Sequence, residues 1–225
     1  MISKLLSSAV KLYLRSQTEA AENLQVKIVG KNKQIFQGCI PEVWLSCDRA
    51  IYQGLCLSRV ELNGTNIAIN LSEVIKKKPL KLLEPVLVEI QLKLNAADLQ
   101  ASLDSSLLQS GLSDLWQLIL ATQNDPELAD LQIEWQTIAI ADGLLRLTGI
   151  YQDTLNQTHQ LALSTKINLA DAHTLYLKPF IVNSSRNYRS RQKHIEIDLG
   201  TDVALEQLYI ILGQIICSGK IKINN

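Results

Sequence analysis

The sequence predicts an α+β fold in which long antiparallel strands dominate and a few helices cover them. Three observations carry that prediction. Apolar residues alternate with polar ones over several long segments, the pattern of strands with one buried and one wet face. Two segments instead repeat at helical spacing. Hydrophobic residues make up 47% of the 225, yet aromatics only 5%, so the filling is Leu, Ile, Val and Ala. Aliphatic filling suits either an ordinary core or a lining for acyl chains. Residues 1–225 are expected to form a single domain, with an N-terminal helix over 1–22 and a helical segment over 95–124 set within the sheet.

The first helix rests on Ile2, Leu5, Leu6, Ala9, Val10 and Tyr13. Lys4, Lys11 and Arg15 form a separate stripe, and no acid precedes Glu19. Such a basic amphipathic helix either lies on an anionic membrane or packs on a sheet with its cations in water. From Leu24 the period is two. "KQIFQGCIPEVWLSC" and "YQGLCLSRVELNGTNIAINL" read as long strands, with "LNGTN" a tight turn or a bulge. In "VIKKKPLKLLEPVLVEIQLKL", residues 74–94, Val86, Val88, Ile90, Leu92 and Leu94 alternate with Leu87, Glu89, Gln91 and Lys93. Lys76, Lys77, Lys78 and Lys81 belong to the connection before that strand, where Pro79 and Pro85 bracket its start.

Asn95 is placed to cap a helix through "NAAD", with Asp98 at the third position. The next helix carries Leu107, Leu108, Gly111, Leu112, Leu115, Trp116, Ile119 and Leu120 on one stripe, and "NDPE" (124–127) ends it. Strands resume at "LQIEWQTIAIADGLLRLTGIY" and continue through "HQLALSTKINL", "HTLYLKPFIV" and "HIEIDLG". "NSSRNYRSRQK" is polar and basic and reads as a loop, either solvated or suited to gripping phosphates. "IAIADGLLRLTG" (138–149) aligns without gaps on "LYIILGQIICSG" (208–219), with Gly143 on Gly213 and Gly149 on Gly219. Each copy reads as a hairpin whose turn glycine takes positive φ. "LQVKIVGKNKQIFQG" (24–38) reads as a looser third copy.

Charge and motif content narrow the function. Twenty-two basic residues balance 22 acidic ones, against a general nucleic-acid binder, so no nucleic-acid partner is expected. Cys39, Cys47, Cys56 and Cys217 lack metal or redox spacing and read as buried free thiols of a reducing compartment. No G-x-S-x-G, H-E-x-x-H, P-loop or G-x-G-x-x-G occurs. His159, His173 and His194 have no metal spacing, and Asp98 and Asp104 read as solvated carboxylates. No enzyme activity, cofactor or metal is expected. Nor does any stretch reach the 18 or so apolar residues of a membrane span.

"ISKLLSSAVKLYLRSQ", "VIKKKPLKLLEPV", "NAADLQASLDSSLL", "DGLLRLTG" and "LGQIICSGKIKI" together resemble the LmeA-like family of phospholipid-binding proteins, most closely its photosynthetic-bacterial branch. The resemblance covers nearly the whole chain. It implies a tubular lipid-binding fold: one long, strongly curled antiparallel sheet wrapped on one or two helices, leaving an apolar groove. It carries no catalytic residue. Exported members begin with a signal or anchor, whereas this chain begins with the amphipathic helix. The expected place is therefore the cytoplasm, peripherally on the inner or photosynthetic membrane.

The expected function is non-catalytic binding of a phospholipid or similar long-chain amphiphile, with peripheral contact to an anionic membrane. Val86, Val88, Ile90, Leu92, Leu112 and Trp116 are the expected groove. Lys4, Lys11, Arg15, Lys76, Lys77, Lys78 and Lys81 are the expected membrane or headgroup contacts. Two other readings stay open: an adaptor whose groove is filled by its own helices, and an enzyme acting on lipids or isoprenoids. The sequence points to no protein partner.

Overall fold

A computed structural model describes residues 2–122, 132–141, 143–153, 155–185, 189–192, 194–211 and 213–224. Helix α1 (Ile2–Gln17) precedes β1 (Ala20–Val29), the short helix α2 (Asn32–Phe36), β2 (Cys39–Tyr52), β3 (Leu55–Ala68), the short helix α3 (Leu71–Ile75) and β4 (Val86–Asn95). Two helices follow, α4 (Ala96–Ala101) and α5 (Ser106–Thr122). The remaining strands are β5 (Glu134–Ala141), β6 (Leu144–Gln152), β7 (Thr158–Leu169), β8 (Thr174–Ser184), β9 (Arg189–Gln192), β10 (Ile195–Asp198), β11 (Val203–Ile211) and β12 (Gln214–Ile223).

The fold is α+β and its strands pair antiparallel. Where the family resemblance implies one long, strongly curled sheet, the strands divide between two, and neither is strongly curled. The first runs β1-β2-β3-β4-β12-β11, and the second β10-β8-β7-β6-β5 with β9 also on β8. The chain builds most of the first sheet, leaves to build the second, and returns with its last hairpin. That closing hairpin joins β4, from Gln214 opposite Asn95 to Ile223 opposite Val86.

Several local expectations change. Helix α1 stops at Gln17 rather than 22, because the next residues are taken up by strand pairing: Ala20 lies opposite Ile51, and Glu19 N–H donates to Ile51 O at 3.0 Å. Tertiary pairing overrides the helical propensity of "TEAAE". Residues 33–36, read as strand, belong to α2, whose Ile35 is buried against Leu71 and Val74 of α3. The third repeat copy is thus a strand and a helical turn. "LNGTN" is neither turn nor bulge, since β3 pairs with β2 in unbroken register through it. Arg189–Gln192, read as loop, forms β9 against Phe180–Asn183, while residues 186–188 and 193 lie outside the described residues. The "NDPE" helix stop also lies outside them. Asn95 precedes α4, but its side chain makes no cap bond.

The repeated hairpins agree beyond their turns. Ala141 faces Leu144 and Ile211 faces Gln214, so both loops have two residues, and Gly143 and Gly213 have φ of 70° and 73°. Both incoming strands slip register at the equivalent place, between Trp135 and Thr137 and between Leu205 and Gln207. The closing glycine of each copy sits opposite that slip. A Cβ on Gly149 would lie 2.8 Å from Glu134 O, and one on Gly219 would lie 2.7 Å from Leu205 Cα. Each glycine makes room for a bulge on its partner strand.

The larger core lies between the second sheet and α5. Leu112, Leu115, Trp116 and Ile119 pack with Leu147, Leu161, Leu163, Phe180 and Val182. A smaller core lies under α1, where Leu6 meets Ile35, Ile40, Val43, Leu71, Val74 and Leu80.

Candidate lipid-binding face

The geometry of a candidate site follows from strand register. In antiparallel sheets, directly opposed residues point to the same side. Ile90 is opposed by Leu62 on one side and Gly219 on the other, and beyond them lie Leu45 and Leu205. Val88 is opposed by Gly64 and Ile221, and beyond them lie Val43 and Val203. Leu92 is opposed by Val60 and Cys217, flanked in turn by Cys47 and Leu208. These rows contain only aliphatic residues, glycine and cysteine. They run across five strands of the first sheet without a polar side chain.

This face is only partly covered. Val43, Leu45, Val86 and Val88 are buried, whereas Leu62, Ile90, Leu92, Leu205, Cys217 and Ile221 are only half-buried. Helix α1 supplies the cover at one end. Between its Val10, Tyr13 and Leu14 and the sheet residues Ile40, Val43, Val86, Val88 and Ile223 lies an apolar cavity of about 100 Å³. Ile69, Leu80 and Leu82 also line it.

The expected groove residues therefore separate. Val86 and Val88 line the cavity. Ile90 and Leu92 continue the same face, Leu92 packing against both the large core and the Cys47–Val60 cluster. Leu112 and Trp116 lie instead in the core between α5 and the second sheet. The indole Nε1 of Trp116 is buried there without a hydrogen-bond partner. Sequence reading missed Val10, Tyr13 and Leu14 of α1 as lining. Their helical stripe was visible, but not which sheet would receive it.

The expected cationic contacts also fall in two places. Lys11 and Arg15 are on α1, Lys11 half-buried and Arg15 exposed. Lys4 is in the first turn of α1, and its side chain lies outside the described atoms. Lys76, Lys77, Lys78 and Lys81 are all exposed on the loop between α3 and β4. That loop is braced. Asn70 accepts from Lys81 N–H at 2.7 Å and donates to Pro79 O at 3.0 Å, while Lys78 N–H donates to Glu73 O at 3.0 Å. Hydrogen bonding from Asn70, and then from Lys78, holds the Glu73 carboxyl below its ordinary value. Leu80, between the lysines, turns inward and lines the cavity. Basic loop and aliphatic cavity are thus the outer and inner sides of one structure.

With this geometry in view, residues 1–220 match the family described as LmeA-like phospholipid-binding. The chain belongs to this family. No curated protein and no solved structure gives a match. The family is described by what its members bind, not by a reaction.

Other polar groups are used structurally. Asp153 accepts from Leu155 and Gln157 N–H and pairs with His159 Nε2, all at 2.9 Å. His173 Nδ1 meets Val203 O at 2.6 Å, tying the β7–β8 turn to β11. Ser58 donates to the Asp98 carboxylate and accepts from Asn95 N–H. The four cysteines are free thiols, and burial pushes those of Cys47 and Cys217 up. Among the described residues, no group of three or more His, Cys, Asp and Glu is placed to hold a metal ion. Nor is any helix there long and apolar enough to cross a membrane.

Proposed function

We propose that this protein binds a phospholipid, or a similar long-chain amphiphile, with an acyl chain lying along the aliphatic face of the first sheet and its end under α1. The observation that carries the reading is the unbroken aliphatic register through Leu45, Leu62, Ile90, Gly219 and Leu205, half of it left accessible. Each buried CH₂ contributes about 0.8 kcal/mol, so a chain of moderate length is held without any specific bond. Binding is non-catalytic on this reading. The protein meets an anionic membrane peripherally, at the cytoplasmic face where such lipids concentrate.

The cavity supports one rival. At about 100 Å³ it is smaller than the roughly 300–1,000 Å³ of small-molecule pockets. Either α1 lifts to admit a chain, or α1 is itself the filling and the protein is an adaptor. Lipid extraction from freshly purified protein, with native mass spectrometry, separates these. The expected result is a phospholipid-sized adduct in the parent that is lost in Ile90→Asp, where a carboxylate enters the aliphatic face. A parent that carries no lipid, and takes none up from vesicles, favours the adaptor.

A further inference from the structure

Register places every connection of the first four strands at one of two ends. Val29 lies opposite Glu42, Cys39 opposite Ala68, Gly64 opposite Val88, and Val86 opposite Ile223. The connections 30–38 and 69–85 therefore project from the same end of the first sheet. Together they hold six lysines, Lys31, Lys33, Lys76, Lys77, Lys78 and Lys81, against two glutamates, Glu73 and Glu84. Glu73 is paired with Lys78 at 3.4 Å. At the opposite end, the β2–β3 turn (53–54) and the segment 96–105 contain no lysine or arginine, but do contain Asp98 and Asp104. A chain of zero net charge is thus polarised along its first sheet.

The basic end also exposes large apolar side chains. Phe36 ends α2, Ile75 ends α3, and Leu83 precedes β4. They are 64%, 53% and 57% exposed, while their neighbours Ile35, Val74 and Leu80 are buried. Leu83 N–H donates to Ala68 O at 2.9 Å, which sets that loop against the β2–β3 edge from which α2 and α3 emerge. The same end contributes Ile69, Leu80 and Leu82 to the lining of the apolar cavity. Exposed apolar tips among exposed lysines suit a lipid–water interface, where apolar groups enter the acyl boundary and lysines meet phosphates.

We infer that the α2/α3 end of the first sheet is the docking surface for an anionic bilayer, inserting Phe36, Ile75 and Leu83 and turning the cavity end toward the lipid. Charge complementarity selects the occupant: an anionic surface matches six lysines, and a fluid one accommodates three separate apolar tips. The inference rests on the lipid-binding reading for its purpose but not for its test. It also chooses between the two cationic groups, assigning docking to the strand connections rather than to Lys11 and Arg15 of α1.

Co-sedimentation of the full chain with phosphatidylcholine vesicles, with and without phosphatidylglycerol, tests it. One variant changes Lys31, Lys33, Lys76, Lys77 and Lys81 to Gln. A second changes Phe36, Ile75 and Leu83 to Ser. A third changes Lys11 and Arg15 to Gln. At about five-fold in partition per lysine, the first variant loses more than a hundred-fold on anionic vesicles. The second loses at least ten-fold, and the third stays within a few-fold of the parent. Phe36→Trp gains fluorescence quenching by phospholipids brominated in the acyl chain. The inference is overturned if the parent ignores anionic vesicles, as it would were the basic end a site for an acidic protein. It is equally overturned if the third variant loses as much as the first, or if Phe36→Trp is not quenched. Phospholipid extracted from all the variants would then leave the lipid-binding reading standing without this docking surface. Vesicle binding by a parent that carries no extractable lipid would do the reverse.

Discussion

The two sheets are built alike and finished differently. Each is antiparallel, each has an apolar inner face, and each ends in the same bulged hairpin. In the second sheet that face is sealed: Leu147, Leu161, Leu163, Phe180 and Val182 are buried beneath α5. In the first, α1 covers one end and leaves Leu62, Ile90, Leu205 and Ile221 half-buried. Strand pattern alone does not explain the contrast, because both faces are apolar and alternate in the same way. The cover explains it. One sheet is sealed by the protein's own helix, and the other stays partly accessible. On the proposed lipid-binding reading, the sealed sheet supplies stability and the accessible face receives the ligand.

The sharpest way to break this comparison is to cut the same kind of side chain from each face. Leu147→Ala in the sealed sheet is expected to lose about 3–5 kcal/mol of stability, since a fully buried aliphatic side chain leaves a cavity. Ile90→Ala in the open sheet is expected to lose only about 1–2 kcal/mol, because part of that side chain already meets water. Denaturant midpoints of lipid-stripped protein measure both. Equal losses would mean that the first sheet is as sealed as the second. With lipid bound, Ile90→Ala is expected to cost more than without it, which sharpens the contrast further.

The hairpins test the likeness rather than the difference. Gly149→Ala and Gly219→Ala each push a Cβ into the partner bulge and are expected to cost about 1–3 kcal/mol. Gly143→Val meets only ordinary contacts and Gly213→Val open space, but each forces a branched residue to positive φ, for about 1–2 kcal/mol. Thermal melts of the four variants check the pairing. If one member of a pair is neutral and the other is not, the two hairpins are not equivalent.

Much of this architecture was legible in the chain because its signals are local. The alternation from Val86 to Leu94 appears in β4, and the stripe from Leu112 to Ile119 is the buried side of α5. The matched glycines mark turns, and further in they mark bulges that alignment alone cannot reveal. What the chain concealed is non-local. Nothing in "TEAAE" shows that β2 will claim it, and nothing in "KQIF" shows that Ile35 will plug the space beside α3. Leu112 and Trp116 have the right chemistry for a lipid groove, but partition between two aliphatic sheets depends on topology, which periodicity does not encode. Phe36, Ile75 and Leu83 looked like ordinary strand or loop residues until register brought their connections to one end.

The smallest expected difference between the sheets is in acid. Asp153, at the end of β6, is held below the ordinary carboxylate value chiefly by Gln157 N–H, and next by His159. Glu73, on the basic end of the first sheet, is held down chiefly by Asn70 and next by Lys78. For both groups the folded value is depressed. Their contribution is therefore complete above the unfolded carboxylate range, near pH 4, and is lost as pH falls through the lower folded value. Asp153→Asn and Glu73→Gln remove these contributions, so each variant is expected to differ most from the parent at neutral pH and to converge on it in acid. The Asp153 effect should be the larger. Its buried carboxylate accepts two backbone N–H groups and meets His159, whereas the Glu73 side chain is 43% exposed and its lysine pair is screened by water. Melting midpoints between pH 7 and pH 3 measure both. If the gap between Asp153→Asn and the parent stays constant down to pH 3, or widens, the carboxylate is not what holds that turn. If Glu73→Gln shows the larger gap, the brace on the lysine loop contributes more to the fold than the sealed sheet's own turn.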